Sequence, residues 1–342
     1  MTVRAALLVL LAMPAAAQEA TLRLHHYLPA TANLPTLVLE PWAANVEAAS
    51  GGRIAVELYP AMQLGGTPAE LIDQAMLGVA DVVMTVVGYT PGRFPSTEVF
   101  ELPFFVEDAR AASYAYWTLY DEAMRGEFAG VRVLATWVHG PGAFHAADPI
   151  EAPGDLRGMK IRGGSRLVNE TLELLGAEPV GLPVTAIPEA LSRGVIDGAT
   201  LPWEVTTAYR IPDLVGRHTE FEGAGLYTLT FVIAMNPDAY EALAPDLRAV
   251  IDAQSGETLS IFAGGRQADA DAPARALAVE AGNAVVTIPR EAAAEWRALV
   301  APVYDAWVAE MAARGIDGAA LIERARALMD AYDPALDAYA AP

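Results

Sequence analysis

No cysteine occurs in the 342 residues. That excludes a disulfide framework, a thiol nucleophile and lipid attachment through a cysteine. Long apolar runs are equally scarce. The stretch Ala5 to Met13 is too short to cross a bilayer and no later segment is longer and as apolar, so stable membrane insertion is not expected. Positive charge is thin: 22 Lys and Arg face 43 Asp and Glu, for a net charge of −21. Such a surface repels phosphate backbones and anionic lipids, which argues against a nucleic-acid partner. Catalytic signatures are missing too. There is no Gly-x-Ser-x-Gly elbow, no His-Glu-x-x-His and no phosphate-binding glycine loop. The expectation is a protein that is not an enzyme and uses no cofactor.

What is present begins with an export signal. Arg4 supplies a short positive region, Ala5 to Met13 the apolar core, and Ala15-Ala16-Ala17 a small-residue cleavage site before Gln18. In a bacterial cell this reading of residues 1–17 places the mature chain in the periplasm.

The remainder is too long for one usual core, so two domains are expected. Thr21 to Tyr27 alternates as a strand, Leu37 to Ala49 has helical spacing closed by Gly51-Gly52, and Arg53 to Tyr59 reads as a strand. Thr67-Pro68 opens a helix, and Ala80 to Val87 is a valine-rich strand. The pattern restarts with strands at Val131 to Trp137, Met159 to Arg162, Ala177 to Val180 and Val195 to Asp197, with helices between them. Gly225 to Ala234 reads as a strand leading back to the first domain. A helical region from about Pro245 to Ala281, interrupted only by Pro273, is placed to bridge the two, and Val285 to Ile288 adds a strand. This order predicts an α/β protein of two lobes, each a mostly parallel sheet flanked by helices, with several crossovers. The expected division is 18–139 with 228–267 for one lobe and 140–227 with 268–320 for the other, followed by a helical tail over 321–342. A small ligand binds between such lobes.

Within this frame Arg162 stands out. It ends a short strand and is followed by Gly163-Gly164-Ser165 and an apolar-periodic helix. A guanidinium beside a helix N-terminus suits a carboxylate, because its fork of donors matches two oxygens and it stays charged. An ordinary ion pair with Asp155 or Glu189 is the alternative.

Several motifs together resemble a known family. They are Leu58-Tyr59-Pro60 with Gln63-Leu64-Gly65-Gly66, Met76 to Asp81, Glu101-Leu102-Pro103-Phe104-Phe105, Leu156 to Arg162, Leu175 to Val180, and Ala190-Leu191 through Asp197-Gly198. In order and spacing the chain is similar to the periplasmic solute-binding subunit of a TRAP (tripartite ATP-independent periplasmic) transporter, of the C4-dicarboxylate-binding type. The resemblance implies a protein that closes on an organic acid by a hinge and delivers it to TRAP permease subunits in the membrane. It also implies that Arg162 pairs with the ligand carboxylate. The departures implied by that alignment are Gly142 where many relatives carry a second arginine, Leu201 in place of a ligand-contacting asparagine, and Val184 where an aromatic commonly stacks. A thinner polar clamp favours a monocarboxylate with an apolar or aromatic body over a C4-dicarboxylate. Service to an ABC importer or a sensor is the competing role.

Further ligand-contact candidates follow from position. Trp203 and Glu204 leave a strand, although core packing and a helix start explain them equally well. Of His25 and His26, which face opposite ways on one strand, His26 is taken as the cleft residue. Tyr89, Phe144 and Tyr227 are candidate aromatic walls. His139, His145 and Asp148 do not match a metal-binding spacing, so no metal site is expected.

Overall fold

The computed structural model describes residues 18–339; the export signal read over 1–17 lies outside the described residues. Among the described residues, eleven strands occur in chain order: β1 (Ala20–His26), β2 (Ile54–Tyr59), β3 (Val82–Val86), β4 (Arg132–Val138), β5 (Ala143–Ala146), β6 (Lys160–Gly163), β7 (Glu178–Gly181), β8 (Gly198–Leu201), β9 (Arg217–Phe221), β10 (Thr230–Met235) and β11 (Ala284–Ile288). They form two sheets, β2-β1-β3-β10-β4 and β11-β9-β5-β8-β6-β7, each flanked by helices. The molecule is thus the two-lobed α/β architecture anticipated from the order of elements. In the first sheet β1 pairs in parallel with β2 and β3, while β10 runs antiparallel to β3 and β4. In the second, β6 is parallel to β7 and β8, β11 is parallel to β9, and β5 runs against both β8 and β9. The antiparallel strands have a common origin: β5 and β10 are the first strands laid down after the chain crosses from the other lobe.

Central strands read as continuous apolar runs because helices cover both faces. Every residue of β3 and of β10 is buried. Trp137 of β4 stacks on Phe231 of β10 with ring centroids 5.2 Å apart.

Two local readings of the sequence are corrected. The strand expected at Val195–Asp197 starts later, at Gly198. Gly194 has φ 65° in the preceding turn, and the Asp197 carboxylate accepts the Lys160 amide at 2.7 Å, so pairing with β6 begins one residue on. The long helical region is broken at Gly256, whose φ of 89° ends Pro245–Ala253 and starts Glu257–Glu280 afresh. The four-residue β5 and the polar-rich β9 carry too few alternating residues to be read as strands in advance.

Helix Glu257–Glu280 joins the lobes. Its first half is tied to the first sheet: Ser260 Oγ accepts the Thr136 amide (3.0 Å), and Gln267 Oε1 accepts Trp137 Nε1–H (2.6 Å). At Gly264 a Cβ would stand 3.0 Å from both Ala109 O and Ser113 Cβ, so glycine permits the close approach to helix Ala109–Leu119. Its second half is tied to the other lobe, where Asp271 accepts the Glu204 amide (2.7 Å) and Arg275 pairs with Glu220 (2.9 Å). Helix Gly318–Asp330 returns to pack on Ala109–Leu119 beside the first sheet.

Candidate ligand-binding site

Strand β6 delivers Arg162 into the interior, flanked by Val180 of β7 and Ala199 of β8. The side chain is 1 % exposed. Its Nε–H donates to Leu182 O (2.8 Å) and its Nη1 to Thr200 O (3.0 Å). Leu182 follows the last residue of β7 and Thr200 is the penultimate residue of β8, so the guanidinium is aimed by the ends of both neighbouring strands. The remaining nitrogen, Nη2, is buried and has no partner. Neither alternative partner holds it: Asp155 accepts the Glu151 and Ala152 amides, and Glu189 pairs with Arg193. A buried cation left with an unused donor costs several kcal/mol unless an anion joins it.

Arg162 lines a small cavity between the lobes. Its walls are largely apolar, formed by Leu28, Val86, Val184, Leu201, Val205, Leu229 and Phe231. The polar lining comes from Tyr27, Tyr89, His139, Glu204, Tyr227 and Gln267. Tyr227 lies on the crossover from β9 to β10. Its hydroxyl is buried and makes no hydrogen bond of good geometry, and burial pushes it up to about 12 against the lowering influence of Arg162 and the nearby Thr200 hydroxyl, so it stays a neutral donor. Its ring occupies the space that a side chain at 142 would need, since a Cβ there would stand 2.5 Å from Tyr227 Cδ1 and 2.8 Å from Cζ. The two crossovers are zipped together at this point. The Gly142 amide donates to Tyr227 O (2.9 Å), and the Leu226 amide donates to Gly142 O (3.2 Å).

His139 sits on the same hinge. Its Nε2 accepts the Leu229 amide at 3.0 Å, which requires the neutral ring, and burial followed by Arg162 lowers its pKa to about 4. Arg162 is therefore the one permanent cation among the described lining residues. Glu204, 4 % exposed, is raised to about 8, first by burial and then by Asp271. Gln267 Nε2 donates to its Oε1 at 2.9 Å. Across the cleft, the Val184 amide of the second lobe donates to Tyr89 Oη of the first at 3.1 Å, and Asn33 Nδ2 donates to Glu204 O at 2.8 Å. The lobes are held together over the cavity.

Of the sequence candidates, Arg162, Tyr89, Leu201, Glu204 and Tyr227 converge on this cavity, as does Val184. Trp203, Phe144 and His26 do not. Trp203 turns into the second lobe, its ring 5.0 Å from both His145 and His218 and its Nε1–H donating to Glu220 (2.8 Å). Phe144 packs with Phe221 and Trp296 in that lobe's core. His26 is fully buried outside the cavity wall with neither ring nitrogen bonded, and its pKa falls to about 4 chiefly through burial. His145 is fixed by His218 Nδ1 (2.8 Å) and Leu201 O (3.1 Å), as a neutral structural pair. Among the described residues no group of three His, Asp or Glu is placed to hold a metal ion.

Sequence reasoning missed Gln267, Tyr27 and His139 as cavity residues. Gln267 carried one faint signal, an amide in an alanine-rich helix whose register buries it at 2 % exposure.

The chain has counterparts among known proteins. A crystal structure of a TRAP solute-binding protein from Rhodoferax ferrireducens T118, with copurified benzoate, is 47% identical with a TM-score of 0.89, over 91% of this chain and 97% of that one. One from an unidentified marine-metagenome microbe, specific for aromatic acids and holding 3-hydroxybenzoate, is 42% identical with a TM-score of 0.90, over 92% and 99%. A third, from Bordetella bronchiseptica with bound mandelate, is 30% identical with a TM-score of 0.85, over 92% and 99%. Residues 24–311 match the family described as DctP, bacterial extracellular solute-binding protein, family 7. The chain therefore belongs to the family 7 bacterial extracellular solute-binding proteins, the solute-binding components of TRAP transport, and is a transport protein rather than an enzyme.

Proposed function

We propose that this protein binds a small aromatic monocarboxylate between its lobes, in the periplasm, and hands it to TRAP permease subunits. The observation that carries this reading is Arg162 Nη2, a buried charged donor with no partner, facing a chamber with no second cation. One carboxylate fits that count. Its two oxygens take Arg162 Nη2 and Tyr227 Oη, and the apolar walls take the ring, whose burial is worth about 1.5–3 kcal/mol. A C4-dicarboxylate would leave its second charge among Glu204, neutral His139 and tyrosines, with nothing to offset the loss of water. The three relatives holding benzoate, 3-hydroxybenzoate and mandelate support the same ligand class.

Binding would bridge the lobes, and the permease would recognise the closed form, populated according to the ligand's preference for it. No helix among the described residues is long and apolar enough to cross a bilayer.

The test is isothermal titration of protein stripped of copurifying ligand, with benzoate and succinate. Benzoate should bind more tightly. Arg162→Met should lose about 2–5 kcal/mol, roughly 30- to 5,000-fold, as truncation of a buried charge pair does. Tighter binding of succinate, or an unchanged Kd for benzoate in the variant, would refute the assignment.

A further inference from the structure

We infer that the ligand carries a ring hydroxyl in addition to its carboxylate, and that Glu204, held by Gln267, recognises that hydroxyl. The inference rests on the aromatic-acid reading above and deepens it.

A bare benzoate would leave part of the polar cavity wall unengaged. Its carboxylate accounts for Arg162 Nη2 and Tyr227 Oη. Glu204 and Gln267 remain on the cavity wall, and they come from other elements: the short helix Trp203–Thr206 after β8, and the long connecting helix. The Tyr209 hydroxyl, buried and without a hydrogen-bond partner, lies close enough to Tyr89, Glu204 and Arg162 for each to influence its titration. An unsubstituted ring would press C–H groups against the Glu204 carboxyl, whose remaining hydrogen-bonding capacity only a polar substituent can use; a buried polar group denied a partner costs about 1–3 kcal/mol.

The patch is also aimed. Trp137 Nε1–H occupies Gln267 Oε1 (2.6 Å), so the amide nitrogen must face Glu204, where it donates at 2.9 Å. Those two bonds hold the carboxyl in one orientation beside the chamber. Burial and the nearby Asp271 keep a proton on Glu204 at neutral pH, so its carboxyl both donates and accepts. A hydroxyl is the small substituent with the same dual capacity. A second carboxylate would meet no cation here. An ammonium would meet a Glu204 carboxyl that keeps its proton and so offers no countercharge.

The experiment is titration of wild type, Glu204→Gln and Glu204→Leu with benzoate, 3-hydroxybenzoate, 4-hydroxybenzoate, 3-methylbenzoate and 3-(aminomethyl)benzoate. In the wild type, one hydroxybenzoate should bind about tenfold more tightly than benzoate, the return on one buried hydrogen bond, and the methyl isostere should gain nothing. Glu204→Gln, which keeps a donor and an acceptor, should retain the preference. In Glu204→Leu the ratio of hydroxybenzoate to benzoate affinity should fall to about one, by loss of that same bond. Because the readout is a ratio within one variant, a general loss of folding does not mimic it, and the wild-type series stands alone if the leucine variant fails to fold. Equal affinity of wild type for benzoate and both hydroxybenzoates overturns the inference while leaving the aromatic-acid reading intact. So does tighter binding of the aminomethyl compound, or a preference that survives in Glu204→Leu. If none of these acids binds, the aromatic-acid reading fails and this inference with it.

Discussion

Gly142→Ala should weaken ligand binding without touching the ligand. The new methyl would stand 2.5 Å from Tyr227 Cδ1 and 2.8 Å from Cζ, where carbon atoms rest at about 3.5–4.0 Å, so the ring must retreat by roughly 1 Å. Gly142 has no positive φ, so backbone strain does not enter. A retreat of that size carries Tyr227 Oη out of hydrogen-bond range of a carboxylate docked on Arg162. Hydrogen bonds to charged groups contribute about 1.5–3 kcal/mol, which predicts roughly a 10- to 150-fold rise in the Kd for benzoate. Overpacking should separately lower stability by about 1–3 kcal/mol. Tyr227→Phe removes the same hydroxyl with no steric change, and should match the affinity loss but not the stability loss. The two substitutions act through one atom, so the double variant should bind no worse than either single one, within about threefold. Titration with benzoate and thermal unfolding of the ligand-free protein read the two effects independently. A Gly142→Ala protein that binds benzoate as wild type does, or losses that multiply in the double variant, would refute the mechanism.

Two further outcomes follow from the same geometry. Tyr89→Phe deletes the acceptor of the Val184 amide across the cleft, so the closed state should lose about 1–2 kcal/mol, seen as a 5- to 30-fold faster ligand dissociation in stopped-flow. Unfolding should also depend on pH with a definite sign. Glu98 and Asp271, both raised to about 7, and Glu204, raised to about 8, owe their shifts first to burial. The folded chain thus keeps protons that the unfolded chain has released, and stability is lost as pH rises from about 4.5 to 8. The buried His26, His139 and His145, lowered to about 4, 4 and 3, oppose this below pH 6.5 and are spent above it. Tm should therefore fall between about pH 6.5 and 8, and Glu204→Gln should flatten that fall; a rising Tm over this interval would contradict the shifts.

Much of the architecture was legible because it rests on strong local patterns. The valine run of β3 and the strand-glycine-helix passage at Arg162 could each be placed from a few residues. Facing was harder. Trp203 follows β8 directly, which suggests a cleft residue, yet the turn at Pro202 carries its indole toward His145, His218 and Glu220 and presents Glu204 to the chamber instead. Phe144 is on β5, a strand too short for its alternation to reveal which face is inner. Gln267 was invisible for a different reason: its partners Trp137 and Glu204 lie 130 and 63 residues away, one in each lobe. No window along the chain contains that contact.

The chamber is walled in part by the connections that must bend for it to open: His139, Tyr227 and Leu229 line it, and Gly142 backs the Tyr227 ring. Selectivity and timing are therefore written in the same residues. A substitution that retunes which acid is preferred will also alter how fast the protein captures and yields it. A lineage drifting toward a new nutrient, or an engineer redirecting this scaffold as a sensor, inherits that tie. Changes at 142 and 227 should move affinity and residence time together.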